Sequence, residues 1–267
     1  AWVSDTESDG DGTDWTQTLP AGWEANHENV PEGGVEEFAG WSFLDPVSWN
    51  ATAGQGRNGF VNGSGVILVA DGDEWDDSGP GARMETVLNT PAISLSEAQP
   101  NSVAFRFDSS WNAEPQIGTV SVSFDGEAPE EILHYDDTTP TRINETVFLP
   151  INNPEGAQEM TLSFTYEAGN NWWWAIDNLE VTANEIVILS QPAPVETLPG
   201  DAVTFAVAAH GGVLSYQWLK DGEPIAEATT STLEIAAATA ADAGSYAVEI
   251  SGTGLTLLVS DSVTLSV

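Results

Sequence analysis

The chain has no cysteine. Disulfides and thiolate metal sites are therefore excluded. A eukaryotic secreted β-protein of this size usually carries some disulfides, so their absence fits a bacterial exported protein better. Cations are nearly as scarce. Lys and Arg number 5 against 42 Asp and Glu, a formal net charge of −37. Such a surface repels nucleic-acid phosphates and anionic lipid headgroups, which excludes both as expected partners. No stretch approaches the ~18 apolar residues of a membrane span. No basic-then-apolar leader opens the chain, so any export signal is expected to have been removed or to lie outside this sequence. The three histidines, His27, His134 and His210, belong to different segments.

What is present is apolar and patterned. At 267 residues and 41% hydrophobic, the chain is long enough for one large or two ordinary domains with a real core. Residues 1–33 are rich in Asp, Glu, Gly, Thr and Pro, the composition of a tail. Trp2, Trp15 and Trp23 argue against full disorder, and the segment is expected to lie along the domain that follows. From residue 34 short apolar runs alternate with Gly, Pro, Asn and Asp. Strands are expected at 65–70, 102–107, 118–124, 145–150 and 160–166, several with period-two alternation. No helix of more than two turns is expected. Many short strands with turn signals every 8–12 residues indicate β-sandwiches or barrels. A second β pattern starts near residue 185, after a short boundary at Ala183-Asn184. The alanines of 236–244 tempt a helix assignment, but the corner motif described next overrides it.

In residues 184–267, Val203, Phe205 and Val207 alternate inward, Trp218 sits in YQWLKDG, and Asp242-Ala243-Gly244-Ser245-Tyr246-Ala247-Val248 reads D-x-G-x-Y-x-V. This set resembles an immunoglobulin-like domain: strand B, the core tryptophan of strand C, and the tyrosine corner. Val207 and Val248 stand where that family's cysteines would, keeping apolar packing without the bridge. The resemblance implies a spacer or stabilising module, since this fold hosts many functions and decides none.

In residues 34–183, Phe38-Ala39-Gly40-Trp41-Ser42-Phe43 opens the pattern. Phe105-Arg106-Phe107-Asp108-Ser109-Ser110-Trp111 and Gly118 to Gly126 form its middle, and Trp174-Ala175-Ile176-Asp177-Asn178-Leu179-Glu180-Val181 closes it. This order is similar to bacterial MAM-like and carbohydrate-binding jelly rolls. The expected architecture is all-β, a jelly-roll β-sandwich followed by a smaller Ig-like β-sandwich. The resemblance also implies company with exported hydrolases.

Three tryptophans in a row, Trp172-Trp173-Trp174, pose the main question of the sequence. On a strand Trp172, Trp174 and Ile176 share one face while Trp173, Ala175 and Asp177 share the other. Trp174 and Ile176 are expected in the core, and Trp173 is the candidate for exposure or for cover by the N-terminal segment. Tryptophan packs on sugar C–H faces while its N–H and polar neighbours meet hydroxyls. Trp173, Trp111, Trp75 and Trp49, with Arg57, are therefore the candidate ligand-binding residues; core packing is the competing reading. The resemblance implies a structural Ca2+ site using Asp177, with Glu37 at the matching end. The competing role of Asp177 is a backbone cap at a bulge. Asp71, Asp73 and Asp76, in the loop that also holds Asp77, are further candidate ligands, because crowded carboxylates need a cation or wide solvent separation; the loop lacks the twelve-residue D-x-D-x-D-G-x5-E calcium pattern, and a solvated loop or an acidic ligand loop is the competing reading.

No catalytic residues are assigned. The G-x-S-x-G and H-E-x-x-H motifs are missing, as is the E-x-D-x-x-E strand of jelly-roll glycosidases. His134-Tyr135 would serve a polysaccharide lyase, since both side chains can move protons. The expected function is a non-catalytic, extracellular or cell-surface accessory region that binds a polysaccharide or cell-surface glycan. The alternatives are an adhesive or filament-forming protein that contacts its own copies or a neighbouring catalytic domain, and a divergent lyase or glycosidase.

Overall fold

A computed structural model describes residues 15–53, 55–76 and 81–267. The first half of the expected N-terminal wrap, with Trp2, lies outside the described residues, as does Asp77. The chain divides into two compact units. One is the described part of Ala1–Glu97 with Phe105–Leu149 and Ala157–Val181; the other is Ala98–Ala104, Pro150–Gly156 and Thr182–Val267. Both are built of strands, and the chain is all-β: two β-sandwiches.

In the first sandwich the strands in chain order are β1 Trp15–Thr16, β2 Glu24–Asn29, β3 Ser42–Leu44, β4 Ile67–Asp71, β5 Met84–Asn89 and β6 Ile93–Ser94. They are followed by β7 Val103–Trp111, β8 Ile117–Phe124, β9 Glu130–Tyr135, β10 Arg142–Ile151, β11 Glu159–Ala168 and β12 Trp173–Ala183. One sheet runs β1-β3-β4-β12-β7-β10 and the other β2-β5-β11-β8-β9, with β6 also on β11. Sequence neighbours are repeatedly separated in the sheets, the crossing pattern of a jelly roll. Two short helices interrupt the strands, α1 Pro46–Ala53 and α2 Gly72–Asp76.

The tryptophan triplet explains the core. β12 lies inside its sheet, and at Trp173 and Trp174 both of its faces are covered. Trp174 points between the sheets, among Trp41, Phe107, Trp111, Tyr135 and Phe164, with ring centroids 5.6–6.4 Å away. Its indole N–H donates to Ser109 Oγ at 3.1 Å. Trp173 takes the opposite face, and its N–H donates to Ser110 Oγ at 3.0 Å. Adjacent serines on β7 thus serve adjacent tryptophans on β12, each on its own side of the sheet, as strand alternation requires. Trp173 is covered by α1, whose Trp49 meets it edge-on at 5.4 Å. The expected alternation is real, but neither face at this point is wet. Trp172, only half-buried, packs edge-on against Trp173 at 5.3 Å.

Gly118 on β8 shows how tight this packing is. A Cβ there would stand 2.9 Å from the rings of both Trp111 and Trp174. Only glycine lets the strand pass that close.

The Ig-like sandwich has β13 Val187–Ser190, β14 Val195–Glu196, β15 Val203–Ala206, β16 Ala208–His210 and β17 Leu214–Lys220. It continues with β18 Glu223–Pro224, β19 Thr232–Ile235, β20 Gly244–Gly252, β21 Leu258–Val259 and β22 Val263–Ser266. Its main sheet is β14-β22-β20-β17-β18, with β14 parallel to β22, and β15 pairs β19 opposite. Residues 236–243 form no helix. Trp218, Phe205, Val207, Tyr246 and Val248 belong to one buried cluster. The Tyr246 hydroxyl donates to the Asp242 carbonyl at 2.7 Å, closing the tyrosine corner.

Candidate functional site

The aromatic candidates form no ligand platform. Trp49, Trp75, Trp111 and Trp173 are each 0% exposed. Trp111 lies between Tyr135 and Trp174. Trp75 is buried in α2, against Gly34 and the chain at Val35. These four tryptophans are spent on the interior, the competing reading of those residues.

Arg57 is likewise interior. It sits in a 3-10 turn that follows α1, with its side chain 0% exposed. Its Nε and Nη2 donate to Asp71 Oδ2 at 3.1 and 2.9 Å, and Nη1 donates to Gln55. Glu74 Oε1 lies 2.8 Å and Asp73 Oδ2 3.6 Å from Nη2. The guanidinium carbon stands 4.8 Å from the Trp173 ring centroid and 5.6 Å from that of Trp49, whose N–H also donates to Asp71. The reason is local: Asp71 is paired directly opposite Trp173 across β4 and β12, so the cation that neutralises one must lie on the other. Burial pushes the Asp71 carboxyl above its ordinary range against the opposing pull of Arg57. Glu37 is pushed up by burial and then by the charge of Asp71. Three carboxylates within 4 Å of one cation, with Glu37 beside them, make a structural cage and leave Arg57 no donor aimed at solvent.

Asp71 and Asp73 meet at Arg57, but the calcium candidates do not all come together. Asp177 is influenced by Asp108, whereas Glu37 is influenced by Asp71. Asp76 accepts from the Gly81 backbone N–H. Among the described residues no three His, Cys, Asp or Glu side chains form a set that could hold a metal. Asp177 accepts from the backbone N–H of Ser64 at 2.9 Å and of Asn178 at 2.7 Å. Its geometry is that of a bulge cap, the alternative role read for it in the sequence.

His134 and Tyr135 diverge as strand neighbours must. Tyr135 turns inward and its hydroxyl donates to Glu145 at 2.6 Å; His134 faces outward beside Glu131. They share no reaction centre.

Further along β12 the strand pairing changes. Pairing with β4 runs from Trp173↔Asp71 to Ile176↔Leu68 and stops there. Asn178 then adopts φ 53°, the left-handed region that asparagine tolerates. A turn-type residue inside a strand is the mark of a bulge. Beside it lies a cavity of about 270 Å³ lined by Val66, Leu68, Ile176, Asp177, Asn178 and Leu179.

A polar lattice holds the bulge in place. The Asn178 amide donates to Asp108 Oδ2 at 2.9 Å and to the Asn62 carbonyl at 3.1 Å. Asn62 donates to Asp108 Oδ1 at 3.1 Å, and Asn144 exchanges hydrogen bonds with Asn62. Thr146 donates to the same Asp108 oxygen. Burial raises the Asp177 carboxyl, opposed by the two N–H groups it accepts from.

No family model matches the chain. It is similar to solved structures of both kinds of sandwich. TmCBM61 in complex with β-1,4-galactotriose is 10% identical over 61% of this chain and 89% of that one, with a TM-score of 0.36. Titin M4 is 21% identical over 32% of this chain and 99% of that one, at 0.29. Domains 3–5 of the extracellular part of Drosophila OTK are 18% identical over 70% of each chain, at 0.28. Among the described residues no helix is long and apolar enough to cross a membrane.

Sequence reasoning singled out Asp177 but missed Asn62, Asp108, Asn144 and Asn178. Their signal was present: Asp-Asn inside an apolar strand run is a bulge signature, because both side chains favour turn-type backbone. The partners of Asn178 are 70 and 116 residues away, beyond any local pattern.

Proposed function

We propose that the chain is a non-catalytic, extracellular binding region whose jelly roll takes a saccharide at the β12 bulge, with the Ig-like sandwich as a spacer. The observation that carries this reading is the bulge cavity, lined by buried Leu68 and Ile176, half-buried Val66 and Leu179, and the polar Asp177 and Asn178. A sugar ring has apolar C–H faces and a hydroxyl perimeter, and ligand pockets in general combine a largely apolar lining with few placed polar groups. An ionised carboxylate has about four acceptor positions. Asp177 fills two with backbone N–H groups and keeps the others for hydroxyls. Asn178 spends its amide N–H groups on Asp108 and Asn62, leaving its side-chain oxygen to accept.

The test is affinity electrophoresis against a panel of neutral and acidic polysaccharides. Retardation by one glycan class, lost in Leu179→Lys with the circular dichroism spectrum unchanged, supports the reading. Retardation unchanged in Leu179→Lys moves the site elsewhere. No retardation by any polysaccharide favours the structural alternative.

A further inference from the structure

The chain has 5 Lys and Arg residues, and each is engaged away from the β12 bulge. Arg57 is enclosed with Asp71 and Glu74, Arg83 pairs with Glu167, and Arg142 pairs with Glu145. Lys220 belongs to the second unit and donates to the Ala241 carbonyl. Arg106 precedes Asp108 by two residues on β7, but its half-exposed guanidinium stands 4.0 Å from Glu180. Asp108 and Asp177 are thus carboxylates without a cation. Asp108, 8% exposed, accepts from Asn62, Asn178 and Thr146, all uncharged donors. Asp177, half-buried, accepts from the backbone N–H groups of Ser64 and Asn178. Burial raises its carboxyl most, those two N–H groups draw it down, and the charge of Asp108 raises it again; no positive charge is among the influences on it.

What completes such a site is a positive charge on the ligand. A sugar hydroxyl donates to Asp177 but leaves the repulsion between the two carboxylates in place. A uronate or sulfated sugar adds to that repulsion. An ammonium group both donates to Asp177 and offsets the paired negative charge, and hydrogen bonds between charged partners are roughly twice as strong as neutral ones. Approach is favoured too, because a net charge of −37 draws cations toward the surface. The rest of the lining separates an organic cation from a metal ion. Val66, Leu68, Ile176 and Leu179 offer apolar contact to the C–H face of a ring, which a bare ion cannot use. Among the described residues no three His, Cys, Asp or Glu side chains gather to hold a metal.

Resting on the saccharide reading above, we infer that the ring taken at the β12 bulge is an amino sugar, its ammonium group paired with Asp177 and supported by the charge of Asp108. The test is calorimetric titration of the full chain with the β-1,4-linked disaccharides of glucosamine, glucose and N-acetylglucosamine. These share one backbone and differ at a single substituent: ammonium, hydroxyl or acetamide. With the amine protonated, the glucosamine disaccharide binds about tenfold tighter than either congener. Asp177→Asn, with an unchanged circular dichroism spectrum, removes that preference. Glu234→Gln, which takes the same charge from an exposed position in the Ig-like sandwich, leaves it in place. N-acetyl-lysine amide, an ammonium group without a sugar ring, binds more weakly than the glucosamine disaccharide. Equal affinity for the three disaccharides, or a preference that survives Asp177→Asn or falls equally in Glu234→Gln, overturns the amino-sugar inference while leaving the saccharide reading intact. N-acetyl-lysine amide binding as tightly as the glucosamine disaccharide makes the ligand a lysine-bearing protein and overturns it as well. Absence of binding by every disaccharide overturns both.

Discussion

Replacing Arg57 with methionine should destabilise the jelly roll by about 3–5 kcal/mol at neutral pH, the cost of removing one partner from a buried ion pair. The structure places the change at the upper part of that range. Both Arg57 and Asp71 side chains are 0% exposed, and Asp71 Oδ2 loses two of its three donors, keeping only the Trp49 N–H. Glu74, 5% exposed, loses the same cation. Methionine restores some packing against Trp173 but none of the charge. At roughly 2–4 °C per kcal/mol for a unit of this size, the melting temperature falls by about 6–20 °C. Differential scanning calorimetry with near-ultraviolet circular dichroism separates the units, because the transition of the Ig-like sandwich should not move.

The pH dependence carries a definite sign. The folded pKa of Asp71 is raised above its ordinary 3.8, so the native state holds the proton more tightly than the unfolded chain does. Stability from this group is then fully present below the unfolded value and declines as pH rises through the folded one. Glu37, raised above 4.5, acts the same way. Without Arg57 the Asp71 pKa climbs further, so Arg57→Met should recover toward wild type as pH falls. General charge repulsion also eases on acidification, but it eases in both proteins, and the difference between them isolates the cage. Adding Asp71→Asn should restore part of the loss at neutral pH. A loss below about 1 kcal/mol, or a double variant less stable than Arg57→Met, refutes this account of the cage.

Other outcomes follow from the same packing. Trp174→Ala should cost the first unit about 3–5 kcal/mol in chemical denaturation, since its ring meets five aromatic neighbours. Gly118→Val should cost about 1–3 kcal/mol or more by overpacking against Trp111 and Trp174, again in the first unit alone. Tyr246→Phe should lower the stability of the Ig-like sandwich by about 0.5–1.5 kcal/mol, the value of its corner hydrogen bond. Chelator should leave the thermal transition of the first unit in place, because Asp177 is satisfied by backbone N–H groups.

Architecture was readable where local pattern and packing agree. The period-two runs at Val103–Phe107 and Val120–Phe124 became β7 and β8, and Asp242 to Val248 formed the tyrosine corner. The site was less readable, for two physical reasons. Strand parity says that Trp173 and Trp174 oppose each other but cannot say that α1 and Arg57 cover the outer face. And tryptophan-rich, carboxylate-rich segments look alike whether they face a ligand or each other; only the pairing of Asp71 with Trp173 across two strands turns Asp71, Asp73 and Arg57 into a cage.

The central claim is that the ligand sits at the β12 bulge. The most direct measurement is backbone hydrogen exchange by mass spectrometry, with and without whichever polysaccharide retards the chain in affinity electrophoresis. Protection is expected in peptides covering 66–68 and 176–179. Protection confined to the Ig-like sandwich, or to the helix that covers Trp173, would contradict it.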